Sequence, residues 1–221
     1  MALKAVIFDM DGVIVDTEPE YIRTTALMLK KYKHDVDECD LEKYKGIDSL
    51  DMWQDIKKSY ALEASAQELF SEEKETIEEH YRKGDLQAIT PTASLIKKIN
   101  KKGYKTAVAS SSEKKNILQV LERLALSPYF DIVVSRNDVD KGKPAPDIYL
   151  LTARQLGVSP HECVVIEDSI AGTQSAKSAG MKVIRYVGEA ASHRQECNAD
   201  RIVNDIREIT LSLLREVAAS H

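Results

Sequence analysis

The sequence predicts an α/β protein, a doubly wound parallel sheet carrying a small inserted all-helical domain. Three observations lead there. Short apolar runs of strand length recur from Ala5 to Tyr186, and from Thr92 onward they alternate with stretches of helix length. Gly103, Gly157 and Gly180 close three of those helical stretches, as C-terminal caps do. Residues 17 to 88 break the rhythm, with helical stretches and no strand-like run.

In chain order, Ala5 to Phe8 is wholly apolar, which suits a strand buried on both faces of a parallel sheet. Tyr21 to Tyr32, Leu50 to Tyr60 and Ala66 to Arg82 are the helices of the insert. Then follow a helix over Thr92 to Lys102, a strand over Thr106 to Ala109 and a helix over Lys114 to Leu124. The strand Ile132 to Val134 leads to the helix Asp147 to Leu156, the strand Val164 to Ile166 to the helix Ile170 to Ala179, and Val183 to Tyr186 is a further strand. The expected domains are therefore a core of 1–16 with 89–221 and a helical cap of 17–88. The insert starts directly after the first strand and its loop, where ligands of open α/β sheets bind, so a lid is expected.

Composition narrows the function classes. With 221 residues, 43% hydrophobic and 30% charged, the chain can bury a core but falls short of two full-sized domains. A net charge of −5, with Lys97-Lys98 and Lys101-Lys102 read as one solvated helix face, lacks the basic footprint of a nucleic-acid binder. No apolar stretch approaches the roughly 20 residues of a membrane span. Cys39, Cys163 and Cys197 fit neither a disulfide framework nor a zinc pattern, so a reducing cytoplasm is the expected setting. The expected state is a monomer.

The chemistry concentrates at strand ends. Asp9 and Asp11 follow the first strand two positions apart, and Gly12 lets the chain turn so that both can approach one point. Glu167-Asp168 follow the strand Val164 to Ile166. In a parallel sheet these ends share one edge, and carboxylates converging there need a cation or a proton; hard oxygen ligands of this kind suit Mg²⁺. A single acid after a strand is more often a helix cap, as Asp168 before Ser169 could be, but four acids at two strand ends favour a site. Ser110-Ser111-Ser112 open the helix near Glu113 in an anion-binding arrangement, although serine runs usually serve as caps or turns. Lys143 sits in GKPAPD, between a glycine and two prolines that stiffen its backbone.

Taken together, DMDGV at Asp9, the serine after a strand at Ser110, Lys143 in GKPAPDIY and IEDSIAG with Glu167-Asp168 resemble, in order, the four motifs of the haloacid dehalogenase-like superfamily of phosphotransferases. The resemblance spans residues 4 to about 186. The insert between the first two motifs is similar to the branch with a small helical cap, including β-phosphoglucomutase and sugar-phosphate phosphatases. The resemblance implies that Asp9 is a nucleophile forming an aspartyl-phosphate and Asp11 the general acid and base. It further implies that Asp9, the backbone carbonyl of Asp11 and Asp168 bind Mg²⁺ directly, with Glu167 acting through water. Ser110, the backbone of Ser111 and Lys143 would hold the phosphoryl group of a small phosphorylated substrate. Asp16 would shape the hinge into the cap.

Hydrolase and mutase share these residues. In the mutases the hinge carries a histidine and the first cap loop an arginine, whereas the aligned hinge residue here is Tyr21 and the loop YKGIDSL offers Lys45 without arginine. The first reading is therefore a phosphatase, the second a sugar-phosphate mutase and the third a non-catalytic binding protein on the same fold. Tyr21 and Lys45 are candidate substrate residues. Trp53 fits either a pocket lining or packing between helices.

Overall fold

The computed structural model describes residues 2–16, 18–44, 49–83, 88–188 and 198–220. The chain divides into two units, one of Met1–Asp16 with Leu86–His221 and one of Thr17–Asp85. Six strands of the first unit, β1 (Ala5–Phe8), β2 (Lys105–Ala109), β3 (Ile132–Val134), β4 (Cys163–Glu167), β5 (Lys182–Tyr186) and β6 (Arg201–Val203), form one sheet in the order β3-β2-β1-β4-β5-β6. Every pairing is parallel.

β1 lies inside the sheet, with Phe8 opposite Val108 on one side and Ile166 on the other. All four of its residues are buried, which is why the strand carries no polar residue. From β1 the chain runs outward through β2 and β3, then returns to β4 on the other flank. That reversal is a topological switch point, and the carboxyl ends of β1, β2 and β4 meet there.

Helices α1 (Glu18–Lys31), α2 (Glu38–Leu41), α3 (Ser49–Ser59) and α4 (Ala66–Lys83) belong to the second unit. In the first unit, α5 (Thr90–Lys101), α6 (Lys114–Arg123), α7 (Asp147–Leu156), α8 (Ile170–Ser178) and α9 (Leu211–Ala219) surround the sheet. Ile148, Tyr149 and Ala153 of α7 and Ala176 of α8 pack with Ile7, Ala107, Val165 and Val183. The alternate strand residues face the opposite way, and α5 and α9 contact β2, β4 and β5 with their own buried faces. Helix α5 starts two residues earlier than the pattern suggests because Pro91 fits the first helical turn, where its missing N–H goes unneeded. Gly157 ends α7 at φ +66°, the left-handed cap that its position in the sequence suggests. Among the described residues no helix is long and apolar enough to cross a membrane.

Every described secondary-structure element of the second unit is a helix. Its core gathers Met28 and Leu29 of α1, Trp53 and Ile56 of α3 and Leu69 of α4. Trp53 is fully buried there, so it is a packing residue and the pocket-lining alternative is withdrawn.

Beside Trp53 lies a carboxyl group with no charged partner among the described residues. Glu73 on α4 is fully buried; its Oε1 lies 2.9 Å from Thr25 Oγ1, while among the described residues its Oε2 and Trp53 Nε1 have no partner in good hydrogen-bond geometry, although Trp53 and Ser49 stand near enough to act on the carboxyl. Thr25 Oγ1 also lies 2.9 Å from the carbonyl oxygen of Tyr21, and a hydroxyl has one proton to give. Both contacts become hydrogen bonds if Glu73 is protonated and donates to Thr25. Burial pushes the Glu73 carboxyl up to about 7, offset only in part by Thr25, Trp53 and Ser49. A folded state that binds this proton more tightly than the unfolded chain loses stability as pH rises, here between the ordinary carboxylate value of about 4.3 and about 7, by about 3–4 kcal/mol in all. Glu73→Gln should therefore flatten the dependence of melting temperature on pH and exceed the wild type in stability at pH 8. Parallel melting curves from pH 5 to pH 8.5 would show this idea to be wrong.

Candidate active site

Asp9 continues the β1 ladder, its N–H donating to Ile166 O at 3.0 Å, so the carboxylate leaves the sheet at the switch point. Met10 O then accepts from the N–H groups of Ile14 and Val15, curling residues 10–15 into a tight loop. Gly12 takes φ +70°, and a methyl group there would overlap the carboxylate of Asp168. The glycine thus serves both the turn and the close approach of the β4 end to this loop.

Lys143 stands among the acids. Its Nζ donates to Asp9 Oδ1 at 2.5 Å, Glu167 Oε1 at 2.6 Å and Ala109 O at 3.1 Å, which uses all three of its protons. The ammonium also lies 5.1 Å from the ring centre of Tyr149, whose hydroxyl donates to Glu167 Oε1 at 3.0 Å. Glu167 Oε2 accepts from the N–H and the hydroxyl of Ser169, each at 2.9 Å. Four donors therefore lock this fully buried carboxylate, and its back rests on the bare backbone of α8, where a methyl group on Gly172 would overlap it.

Asp168 is placed differently. Arg185 Nε donates to its backbone carbonyl at 3.0 Å, but among the described residues no donor reaches its carboxylate. One oxygen each of Asp9, Glu167 and Asp168 lie within 4.8 Å of one another. Burial, then the charges of Glu167 and Asp9, raise the Asp168 carboxyl well above the usual range. Burial likewise pushes Asp9 up to about 8 against the pull of Lys143, with Glu167 and Asp11 adding to the rise. Burial works against the charge of Glu167 as well, yet Lys143 and Ser169 hold that group below its ordinary value. Burial would discharge Lys143, but Asp9 and Glu167 more than reverse that and keep it an ammonium. One ammonium cannot neutralise three carboxylates, and an all-oxygen donor set with a carboxylate lacking any donor fits a hard divalent cation.

Asp11 lies apart from that triplet, its Oδ2 3.1 Å from Ser112 Oγ and 3.5 Å from Ser110 Oγ. Ser110 is fully buried at the end of β2, and Ser111 is exposed. The structure thus brings together Asp9, Lys143, Glu167 and Asp168, and sets Asp11 against the serine loop. Tyr21 is half-buried on α1 of the second unit, Asp16 is exposed, and Lys45 lies outside the described residues. Sequence reasoning missed Tyr149 and Arg185, and it read the Ser112 hydroxyl as part of an anion-binding run, whereas that hydroxyl contacts Asp11. The placement of Tyr149 in the first turn of the helix that opens four residues after Lys143 was the available signal for the first. For Arg185, a lone charge near the end of an apolar strand was the signal.

Comparison with known proteins gives a consistent picture. Residues 6–186 match the model of a family described as haloacid dehalogenase-like hydrolase. The chain is 32% identical to phosphorylated carbohydrates phosphatase of Thermotoga maritima, over 97% of this chain and all of that protein. It is also 32% identical to β-phosphoglucomutase of Bacillus subtilis, over 97% of this chain and 95% of the relative. Among solved structures, an HAD hydrolase of family IA from Entamoeba histolytica superposes with a TM-score of 0.75 at 26% identity, over 99% of this chain and 100% of that one.

Proposed function

The chain belongs to the haloacid dehalogenase-like hydrolases, and on that premise we propose that it is a cytoplasmic, Mg²⁺-dependent phosphatase hydrolysing a small phosphorylated metabolite, a sugar phosphate, through an aspartyl-phosphate on Asp9. The observation that supports this most is the setting of Asp9, a buried carboxylate 2.5 Å from Lys143 and one of three acids that a single ammonium cannot neutralise.

In this reading a carboxylate oxygen of Asp9 attacks phosphorus, the bond to the ester oxygen breaks, and Asp11 gives its proton to the departing alkoxide. A water then loses a proton to Asp11 and its oxygen displaces Asp9, releasing inorganic phosphate and restoring both carboxyl groups. Asp9 and Asp168 would hold Mg²⁺, with Glu167 behind them. Bound there, the ion would supply positive charge against the repulsion between carboxylate and phosphate dianion. Lys143 orients Asp9 and neutralises equatorial phosphoryl charge, and Ser110 with the backbone of Ser111 steadies the group. The helical unit, 17–88 in this scheme, acts as the cap, with Tyr21 and Lys45 as substrate contacts.

The similarity to a mutase makes one experiment decisive. Hexose and pentose monophosphates are incubated with Mg²⁺, and β-glucose 1-phosphate with added 1,6-bisphosphate, each followed by phosphorus NMR. Inorganic phosphate should accumulate, with EDTA stopping its release. Glucose 6-phosphate forming many times faster than free phosphate would make the protein a mutase instead, and undiminished turnover in EDTA would remove the metal from the scheme.

A further inference from the structure

We propose that Ser112 is a positioning residue for Asp11, fixing the carboxyl group that the phosphatase reading above uses as acid and base. The backbone of Ser112 is held at both ends, its N–H donating to Ser110 Oγ at 3.0 Å and its carbonyl accepting from Arg136 N–H at 3.4 Å. From that held position its hydroxyl donates to Asp11 Oδ2 at 3.1 Å, across 101 residues of sequence. Ser110 Oγ approaches the same oxygen only to 3.5 Å, at the limit of a hydrogen bond, so of these two serines Ser112 holds Asp11 the more strongly.

A carboxyl group that must deliver a proton along one direction benefits from having its other oxygen tied. With Oδ2 held by a hydroxyl donor, the plane of the Asp11 carboxyl is set, and with it the direction along which the group passes a proton. The run Ser110-Ser111-Ser112 thereby divides its work. Its first member belongs to the phosphoryl group, and its third to the acid.

Leaving-group dependence tests this, because kcat/KM covers only the steps up to departure of the alcohol. A sugar alkoxide needs the proton of Asp11, whereas p-nitrophenolate leaves without one. The test uses Ser112→Ala and Ser112→Thr in the full chain, with the sugar monophosphate that the wild type hydrolyses fastest and with p-nitrophenyl phosphate. Ser112→Ala should lower kcat/KM for the sugar phosphate by about tenfold or more and for the aryl phosphate by no more than about twofold. Ser112→Thr, which keeps the hydroxyl, should restore most of the loss, and Asp11→Asn should show the same selectivity on a larger scale. Equal losses on both substrates, or none on either, would overturn the positioning role while leaving the phosphatase reading intact. A wild type that releases phosphate from neither would overturn that reading and this role with it.

Discussion

Asp9→Asn should abolish phosphate release while leaving a folded, and in EDTA a more stable, protein. An amide is no nucleophile towards phosphorus, and loss of a nucleophile that works as a unit with its neighbours costs roughly 10³-fold or more in turnover. The stability gain follows from the crowding at this position. Burial and two neighbouring acids hold the Asp9 carboxyl up at about 8, so its charged form is disfavoured where it stands. Asparagine keeps an oxygen for Lys143 Nζ and removes one charge from the triplet with Glu167 and Asp168. Turnover and melting temperature, read in EDTA and again with added Mg²⁺, check both halves. A residual rate above about one per cent of wild type, in protein free of contaminating phosphatase, would exclude Asp9 as nucleophile. A variant less stable than wild type in EDTA would mean that its carboxylate supports the fold instead of straining it.

Lys143→Met should fail in the opposite sense, losing stability as well as turnover. Lys143 is 4% exposed and is the only cation within ion-pair distance of Asp9 and Glu167 among the described residues. Removing one partner from a buried pair strands the other charge and costs about 3–5 kcal/mol, whereas the hydrophobic replacement regains little of it. Here two carboxylates are stranded together. The deficit should be largest near pH 8 and shrink towards pH 5.5, because protons on Asp9 and Glu167 remove the charges that have lost their counter-ion. Urea denaturation at the two pH values measures it directly. Equal stability of variant and wild type at pH 8 would show that the carboxylates neutralise one another by sharing protons, without help from the lysine.

Much of the frame was legible in the sequence because its elements announce themselves locally. Ala5–Phe8, Ile132–Val134 and Asp147–Leu156 stand where the apolar runs and the glycine at 157 put them. β6 was not legible: Arg201-Ile202-Val203 is three residues long, two of them exposed at the sheet edge, and without an inward face on both sides a strand has no need of an apolar run. Helix α9 was missed although it was legible, since Leu213, Leu214, Val217 and Ala218 recur at helical spacing behind a capping Thr210. At the site, the acids and Lys143 are conspicuous by their positions after strands or between prolines. Tyr149 and Glu73 are not, because what distinguishes them is a contact made far along the chain: a phenol on Glu167 in one case, a carboxyl closed inside a helical bundle in the other. Periodicity records which side of an element is inside, and a buried polar partner looks the same as any other residue on that side.

The bare backbone of Gly172 behind Glu167 bears on the tolerance of the chain to mutation. In a helix interior, alanine normally improves on glycine by about 1 kcal/mol. In α8 the added methyl group would occupy the space of a carboxylate that four donors hold in place, so something must shift, and the gain in helix propensity is far too small to compensate. A residue with no functional group thus becomes as intolerant of change as the acids themselves. Random variation would silence this protein at position 172 by the smallest alteration a side chain can undergo.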